Sequence, residues 1–61
     1  MDICEEYEAG CIWSHDSDPR RALERAKETM RNGKSVMGVI LRPLRIVLYD
    51  ERGTVCEEVL P

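Results

Sequence analysis

The scarcity of large apolar side chains most restricts what this chain can fold into. Its 61 residues include no Phe, and the only aromatic residues are Tyr7, Trp13 and Tyr49. A domain of this size buries only about 60% of the surface that its unfolded chain exposes, so its stability is marginal. Small domains usually compensate with a disulfide, a metal ion or a second subunit. We expect a single domain over residues 1–61, and of these three devices we favour self-association, because it needs no special chemistry.

A helix is predicted over residues 18–32. Asp18 is a favourable N-cap residue, and Pro19 suits the first helical position, where its missing N–H would be unpaired in any case. An apolar stripe at helical spacing follows, made of Ala22, Leu23, Ala26 and Met30. Asn32-Gly33 is predicted to end the helix, because glycine readily adopts the left-handed conformation just after a helix.

Three segments after the helix are predicted to be strands. Ser35–Leu41 is apolar on both faces, which is typical of a central strand. Arg45–Tyr49 alternates, with Ile46 and Leu48 on one side and Arg45, Val47 and Tyr49 on the other. Asp50–Gly53 predicts a tight hairpin turn, after which Thr54–Val59 returns antiparallel. Pro43 cannot donate a hydrogen bond to a neighbouring strand, and we favour a turn at this position.

The N-terminal residues have a less clear pattern. Residues 3–8 could form an edge strand whose charged side chains discourage pairing with another sheet. Ala9-Gly10 indicates a break before Cys11–Trp13. The expected fold class is α+β, with one amphipathic helix packed on a three- or four-stranded, mainly antiparallel sheet. The expected order of elements is β-α-β-β-β.

Charge is sorted along the chain, with a basic middle between acidic ends. Residues 1–18 have a net charge of −6, residues 19–45 of +6 and residues 46–61 of −3. Two of the basic residues, Arg20 and Arg21, lie at the start of the helix, where the helix dipole favours acidic side chains. Departures from local sequence preferences of this kind occur most often at functional sites. The basic face is therefore either neutralised within the fold, by Glu24 and the acidic N-terminal segment, or turned outward as a docking surface.

The leading functional prediction is a small, non-enzymatic regulatory or accessory protein that binds an acidic surface of a larger protein through this basic helix face. The residues predicted to contact that partner are Arg20, Arg21, Arg25, Lys27, Arg31 and Lys34. The alternative is a nucleic-acid-binding protein that uses the same face together with Arg42 and Arg45. An overall acidic chain, with a pI of about 5.0 and three aromatic residues that are not clustered, gives this alternative little support.

The cysteines and the single histidine offer a further alternative. Four residues are of the kind that a structural zinc site needs, and they are Cys4, Cys11, His15 and Cys56. Cys4 would lie near Cys56 if the first and last strands were neighbours. Because the C-x2-C spacing is absent, we interpret Cys56 as a core residue and the other two cysteines as semi-exposed thiols. We predict no metal and no cofactor.

Two short motifs are not interpreted as catalytic. Gly33-Lys34-Ser35 resembles the end of a phosphate-binding loop, but Glu28 stands where that pattern needs glycine, and a helix precedes the motif. Ser14–Asp18 is interpreted as a polar loop, because catalytic triads are assembled from distant chain positions. A monomer of 61 residues also has little interior in which to form a pocket, so an enzyme is not expected.

Not all of the large apolar side chains fit easily under one short helix. Those in question are Trp13, Met37, Leu44 and Leu60. Leftover apolar area would mark a partner surface, whereas a core this small could also need every one of them, and both interpretations stay open. The longest apolar run, Val36–Leu41, is far shorter than the roughly 20 residues of a membrane span. An odd cysteine count and an acidic N-terminus, unlike a secretory signal, indicate a cytoplasmic protein.

Overall fold

The computed structural model describes residues 1–61 and contains one helix and six strands. The elements in chain order are β1 Asp2–Tyr7, β2 Gly10–His15, α1 Pro19–Asn32, β3 Lys34–Val36, β4 Val39–Leu41, β5 Arg45–Tyr49 and β6 Val55–Val59. Four strands form an antiparallel sheet in the order β2-β1-β5-β6, and β3 and β4 form a separate two-stranded ribbon. The predicted α+β class, with one helix on a mainly antiparallel sheet, is confirmed.

The helix begins and ends where its capping residues predict. The Asp18 side chain accepts hydrogen bonds from the backbone N–H groups of Arg20 and Arg21, at 3.0 and 3.4 Å. At the other end, Gly33 has a φ of 78° and its N–H donates to the Thr29 carbonyl at 2.8 Å. These bonds satisfy backbone groups that have no partner inside the helix.

The core is a thin layer between α1 and one face of the sheet. Ala22 and Ala26 of the helix are fully buried against Ile3, Ile46 and Leu48 of the two central strands. Leu23 and Met30, from the predicted apolar stripe, pack at the margin of this layer. Because alanine side chains are small, the helix can approach the sheet closely.

The prediction of an edge strand over residues 3–8 is wrong, because β1 lies inside the sheet between β2 and β5. Residues 10–15 form a full strand that pairs with β1 and takes the edge position. Two carboxylates of β1 form ion pairs with basic side chains of other elements. Glu5 lies 2.7 Å from Lys34 Nζ, and Glu6 lies 2.7 Å from Arg45 Nε.

The prediction of one central strand over Ser35–Leu41 is also wrong. The segment turns back on itself at Met37 and Gly38, whose φ angles are 52° and 81°, and Val36 pairs with Val39. Positive φ at both central residues is the geometry of a tight two-residue hairpin turn. A helix covers only one face of the sheet. The sheet residues that are fully buried under that helix come from β1 and β5, so no central position is left for the apolar run. The apolar run therefore lies outside the main sheet.

The last hairpin is formed as its turn residues predict. The Asp50 side chain accepts hydrogen bonds from the N–H groups of Arg52 and Thr54, at 2.8 and 2.9 Å, and Gly53 has a φ of 79°. The chain then returns as β6, with a register shift opposite the Leu48/Tyr49 step of β5. Pro43 lies between β4 and β5, outside any strand, so these segments are two strands instead of one long strand with a bulge. Because β4 and β5 belong to different sheets, residues 42–44 form an irregular connection instead of the predicted turn.

Candidate protein-binding surface

The most apolar segment of the chain is also among its most exposed. We refer to β3, β4 and the turn between them as the apolar ribbon, residues 34–41. Its turn residue Met37 is 99% exposed, and Val39 and Ile40 are 57% and 55% exposed. Leu44, which follows the ribbon, is exposed as well. Adjacent exposed apolar side chains of this kind mark interaction surfaces in stable proteins.

One side of the base of the apolar ribbon is fixed to the sheet by a partly buried ion pair. Lys34 Nζ lies 2.7 and 3.0 Å from the two carboxylate oxygens of Glu5, whose side chain is only 5% exposed. The Tyr7 hydroxyl donates a 2.8 Å hydrogen bond to the same carboxylate. Burial, together with this bond and the negative charge of Glu5, raises the pKa of Tyr7. Lys34 is therefore a structural residue as well as a predicted contact residue.

The other side of the base packs against the C-terminal end of α1. A Cβ on Gly33 would lie 2.7 Å from Ile40 Cγ2 and 2.8 Å from the Leu41 carbonyl oxygen, so only glycine fits there without movement. The Arg42 guanidinium donates a 2.9 Å hydrogen bond to the Arg31 carbonyl at the end of the helix. The ribbon is thus held at its base while its turn projects into solvent.

Two of the predicted contact arginines are paired within the protein. Arg21 and Arg25 reach the carboxylate of Asp16, at 2.8 and 3.2 Å, and the side chain of Asp16 is nearly inaccessible to solvent. The Arg21 hydrogen bonds, the backbone N–H of Asp18 and the Arg25 bond hold the pKa of Asp16 well below its usual range. This neutralises part of the basic helix face inside the fold.

The three remaining predicted contact residues on α1 form no ion pair with an acidic side chain. Arg20, Lys27 and Arg31 are exposed, and their spacing of seven and four residues places them on one side of α1. Lys27 and Arg31 also border a groove of about 380 Å³, lined in addition by Met30, Val59, Leu60 and Pro61. Cationic and apolar groups therefore lie side by side at the C-terminal half of the helix.

The two arginines of the nucleic-acid alternative have partners of their own. Arg45 lies 2.7 Å from Glu6 and 3.8 Å from Glu58. These two carboxylates, Glu6 above all, raise the pKa of Arg45 above its ordinary value. Arg42 is bonded to a carbonyl and has no acidic partner. Of this pair, only Arg42 adds uncompensated charge to the surface at the end of α1.

Aromatic residues cover part of the sheet face that has no helix. The rings of Trp13 and Tyr49 lie 5.7 Å apart, although β1 separates their strands. Cys4 lies opposite Trp13 on one side and opposite Val47 on the other, and both Cys4 and Val47 are buried. Burial and the neighbouring Cys11 thiol raise the pKa of Cys4 to about 11, from an ordinary value of 9.0.

The four residues considered as zinc ligands do not come together. β5 lies between the strands of Cys4 and Cys56, so the first and last strands are not neighbours. His15 Nδ1 instead lies 2.8 Å from Asp2 Oδ1. No group of three His, Cys, Asp or Glu side chains is close enough to hold a metal ion, and all three cysteines are free. Cys4 is buried, whereas Cys56 is exposed, which corrects the predictions for both residues.

All four apolar residues whose placement was left open are exposed: Trp13, Met37, Leu44 and Leu60. Val39 and Ile40 were missed as surface residues, because their segment was interpreted as a central strand. The signal that could have found them is the Met37-Gly38 pair in the middle of the run, since glycine favours a turn.

Comparisons with known proteins do not identify a family or a relative for this chain. No protein family matches the chain, and neither a curated protein nor a solved structure matches it. The structure contains no helix with the length and hydrophobicity that crossing a membrane requires.

Proposed function

We propose that this chain is a small, non-enzymatic regulatory or accessory protein that binds an acidic surface of a larger protein. The apolar ribbon provides the apolar part of the contact, and the basic helix face provides the charged part. The observation that carries the proposal is the exposure of Met37, Val39 and Ile40 on a ribbon whose base is fixed.

The apolar ribbon is costly to expose unless a partner covers it. Burying one large aliphatic side chain contributes about 1.5–3 kcal/mol. Met37 also adopts a positive φ of 52°, which glycine or asparagine would adopt more easily. Strain of this kind costs about 1–3 kcal/mol and clusters at binding and catalytic sites. A flexible methionine side chain at the turn suits contact with an irregular apolar pocket.

The charged part of the surface adjoins the base of the apolar ribbon. Arg31 and Arg42 lie where α1 and β4 meet, and Lys27 and Arg20 continue the basic surface along the helix. In this proposal Arg21, Arg25 and Lys34 contribute mainly by holding the helix and the ribbon in place. An acidic partner would associate quickly at low salt and more slowly as ions screen the attraction.

The partner class is distinguished from nucleic acid by affinity capture from a lysate at low salt, with and without nuclease. A defined protein that stays bound after nuclease treatment supports the proposal. Loss of all captured material with nuclease supports the nucleic-acid alternative instead. The cytoplasm is the proposed location, because its reducing conditions keep three free cysteines as thiols.

The charged contact is tested with the captured protein. Arg31→Glu should weaken its binding about tenfold or more and reduce the salt dependence of the association rate. Arg52→Glu, in the turn between β5 and β6, makes the same charge change away from the surface and should leave binding near that of the original chain. Equal effects of the two variants would contradict a specific role for the helix face.

A further inference from the structure

The two edges of the main sheet differ in how they are protected. β6 carries Glu57 and Glu58 and has a register shift against β5, and both features discourage pairing with another strand. β2, residues 10–15, contains no Lys, Arg, Asp, Glu or Pro, and its pairing with β1 runs without a register shift. An edge strand that is regular and free of charges is a template for another strand.

Hydrogen bonds just beyond β1 and β2 show which backbone groups of β2 face outward. The Asp16 N–H donates to the Met1 carbonyl and the N-terminal ammonium of Met1 donates to the Asp16 carbonyl, each at 3.0 Å. Bonded pairs alternate with non-bonded pairs along an antiparallel ladder, so Ile12 and Ser14 also bond to β1 in this register. The backbone N–H and C=O groups of Cys11, Trp13 and His15 therefore point away from β1, toward the free edge.

We propose that β2 pairs antiparallel with β2 of a second copy of this chain, with Trp13 at the centre of the interface. In this register Trp13 lies opposite Trp13 of the second copy, and Cys11 lies opposite His15. Cys11 and His15 lie two residues before and two residues after Trp13. A two-fold axis at Trp13 therefore pairs each outward N–H and C=O group of one copy with an outward group of the other. The two sheets then form one continuous sheet with the helices on the same face.

The other edge pairings are less favourable. Pairing β6 with β6 would bring Glu57 and Glu58 of both copies together, and like charges opposite each other destabilise a sheet. Pairing β2 with β6 is a head-to-tail contact that leaves one edge of each type free and can continue into a fibre. Pairing β2 with β2 is closed, removes the unprotected edge and places no carboxylate opposite another.

Amide hydrogen exchange measured by NMR, with sedimentation on the same samples, tests the interface residue by residue. The proposal predicts a dimer at high micromolar concentration in which the Cys11, Trp13 and His15 amides exchange slowly and become faster on dilution. The Ile12 and Ser14 amides serve as internal controls, because β1 protects them in monomer and dimer alike. A monomer at that concentration, or a dimer whose Cys11, Trp13 and His15 amides exchange rapidly, would overturn it.

Two variants and one control distinguish loss of the dimer interface from loss of the folded chain. Trp13→Lys places two lysines opposite each other at the centre and should raise the dimer dissociation constant at least tenfold. Val55→Lys adds the same charge on the opposite edge strand and should leave the dimer intact. Because Trp13→Lys also removes the contact with Tyr49, Cys11→Pro is the second test. Among the backbone hydrogen-bonding groups of β2, it removes only an outward N–H, which an edge strand tolerates, and it should also weaken the dimer. Unchanged dimerisation in Cys11→Pro and in folded Trp13→Lys would overturn the proposed edge.

Discussion

The Arg21 guanidinium binds the Asp16 carboxylate through two nitrogen atoms, with Nε 2.8 Å from Oδ2 and Nη2 2.8 Å from Oδ1. Arg25 adds a third nitrogen to the same carboxylate at 3.2 Å. This arrangement explains why arginine occurs at the start of α1, where the helix dipole alone disfavours positive charge. The arginines there connect the first turns of the helix to the end of β2.

Asp16→Asn should make the protein less stable at neutral pH and less sensitive to acid. The arginine contacts hold the pKa of Asp16 below its ordinary value of 3.8, so their stabilisation is present above that pH and is lost as the pH falls below it. Thermal unfolding from pH 7 to pH 2 measures the effect. The variant should have a lower Tm near neutral pH and a smaller decrease in acid. Glu8→Gln, at an exposed acidic residue, is the control, and parallel pH curves for Asp16→Asn and the original chain would contradict the assignment.

Gly33→Ala and Gly53→Ala compare a glycine that packs against the apolar ribbon with a glycine in an open turn. Both glycines have a positive φ, of 78° and 79°, and Gly33 also has a ψ of −179°, a combination that is essentially confined to glycine, so the backbone disfavours alanine at Gly33 in particular. A Cβ on Gly33 also collides with Ile40 and the Leu41 carbonyl, whereas Gly53 has open space. Urea unfolding should show a larger loss for Gly33→Ala, by about 1–3 kcal/mol. Equal losses would mean that the ribbon does not pack on Gly33.

Met37→Asn should stabilise the fold while weakening partner binding. Asparagine tolerates the positive φ of this turn position better than methionine, so a gain of up to about 1 kcal/mol in urea unfolding is expected. The variant also removes an apolar side chain that is 99% exposed in the free protein. Ser35→Asn, at an exposed ribbon residue with an extended backbone, is the control. Binding of Met37→Asn that matches the original chain would show that the methionine side chain makes no contact.

Cys4 should react with a thiol reagent much more slowly than the other two cysteines. Its pKa is raised to about 11 from an ordinary 9.0, so near pH 8 its thiolate is about 100-fold rarer than that of an unshifted thiol. The buried position of Cys4, between Trp13 and Val47 in the sheet, slows access further. Mass spectrometry after brief alkylation should find Cys11 and Cys56 modified first. Once the chain is unfolded in urea, all three should react at similar rates, and early modification of Cys4 in the folded protein would contradict the structure.

Local signals in the sequence were sufficient for α1, its caps, β5 and the Asp50–Gly53 turn. Each of these elements depends on residues close together in the chain. Ser35–Leu41 was misinterpreted because an apolar run does not tell whether it is buried, and because Met37 is a poor residue for the turn that divides it. The position of β1 depends on pairing with β2 and β5, which a short segment does not reveal.

The basic residues of the candidate surface were identified from the sequence, but of their partners only the acidic N-terminal segment was named, without Asp16 or Glu5 being singled out within it. Lys34 and Glu5 are 29 residues apart in the chain and meet only because β1 lies at the base of the apolar ribbon. Arg21 and Arg25 are paired with Asp16 through the path of the loop between β2 and α1. These ion pairs determine which basic side chains remain unpaired. They form because the fold brings the two partners together, so the spacing of residues in the sequence does not predict them.

The most direct test of the central claim compares Ile40→Ser with Val55→Ser in binding to the partner protein captured after nuclease treatment. Both side chains are aliphatic and similarly exposed, at 55% and 54%, but only Ile40 belongs to the apolar ribbon. The account predicts that Ile40→Ser raises Kd about tenfold or more, as expected for a residue at the centre of an interface, while Val55→Ser leaves Kd nearly unchanged. A Kd for Ile40→Ser equal to that of Val55→Ser, with both variants folded, would contradict the assignment of the apolar ribbon as the binding surface.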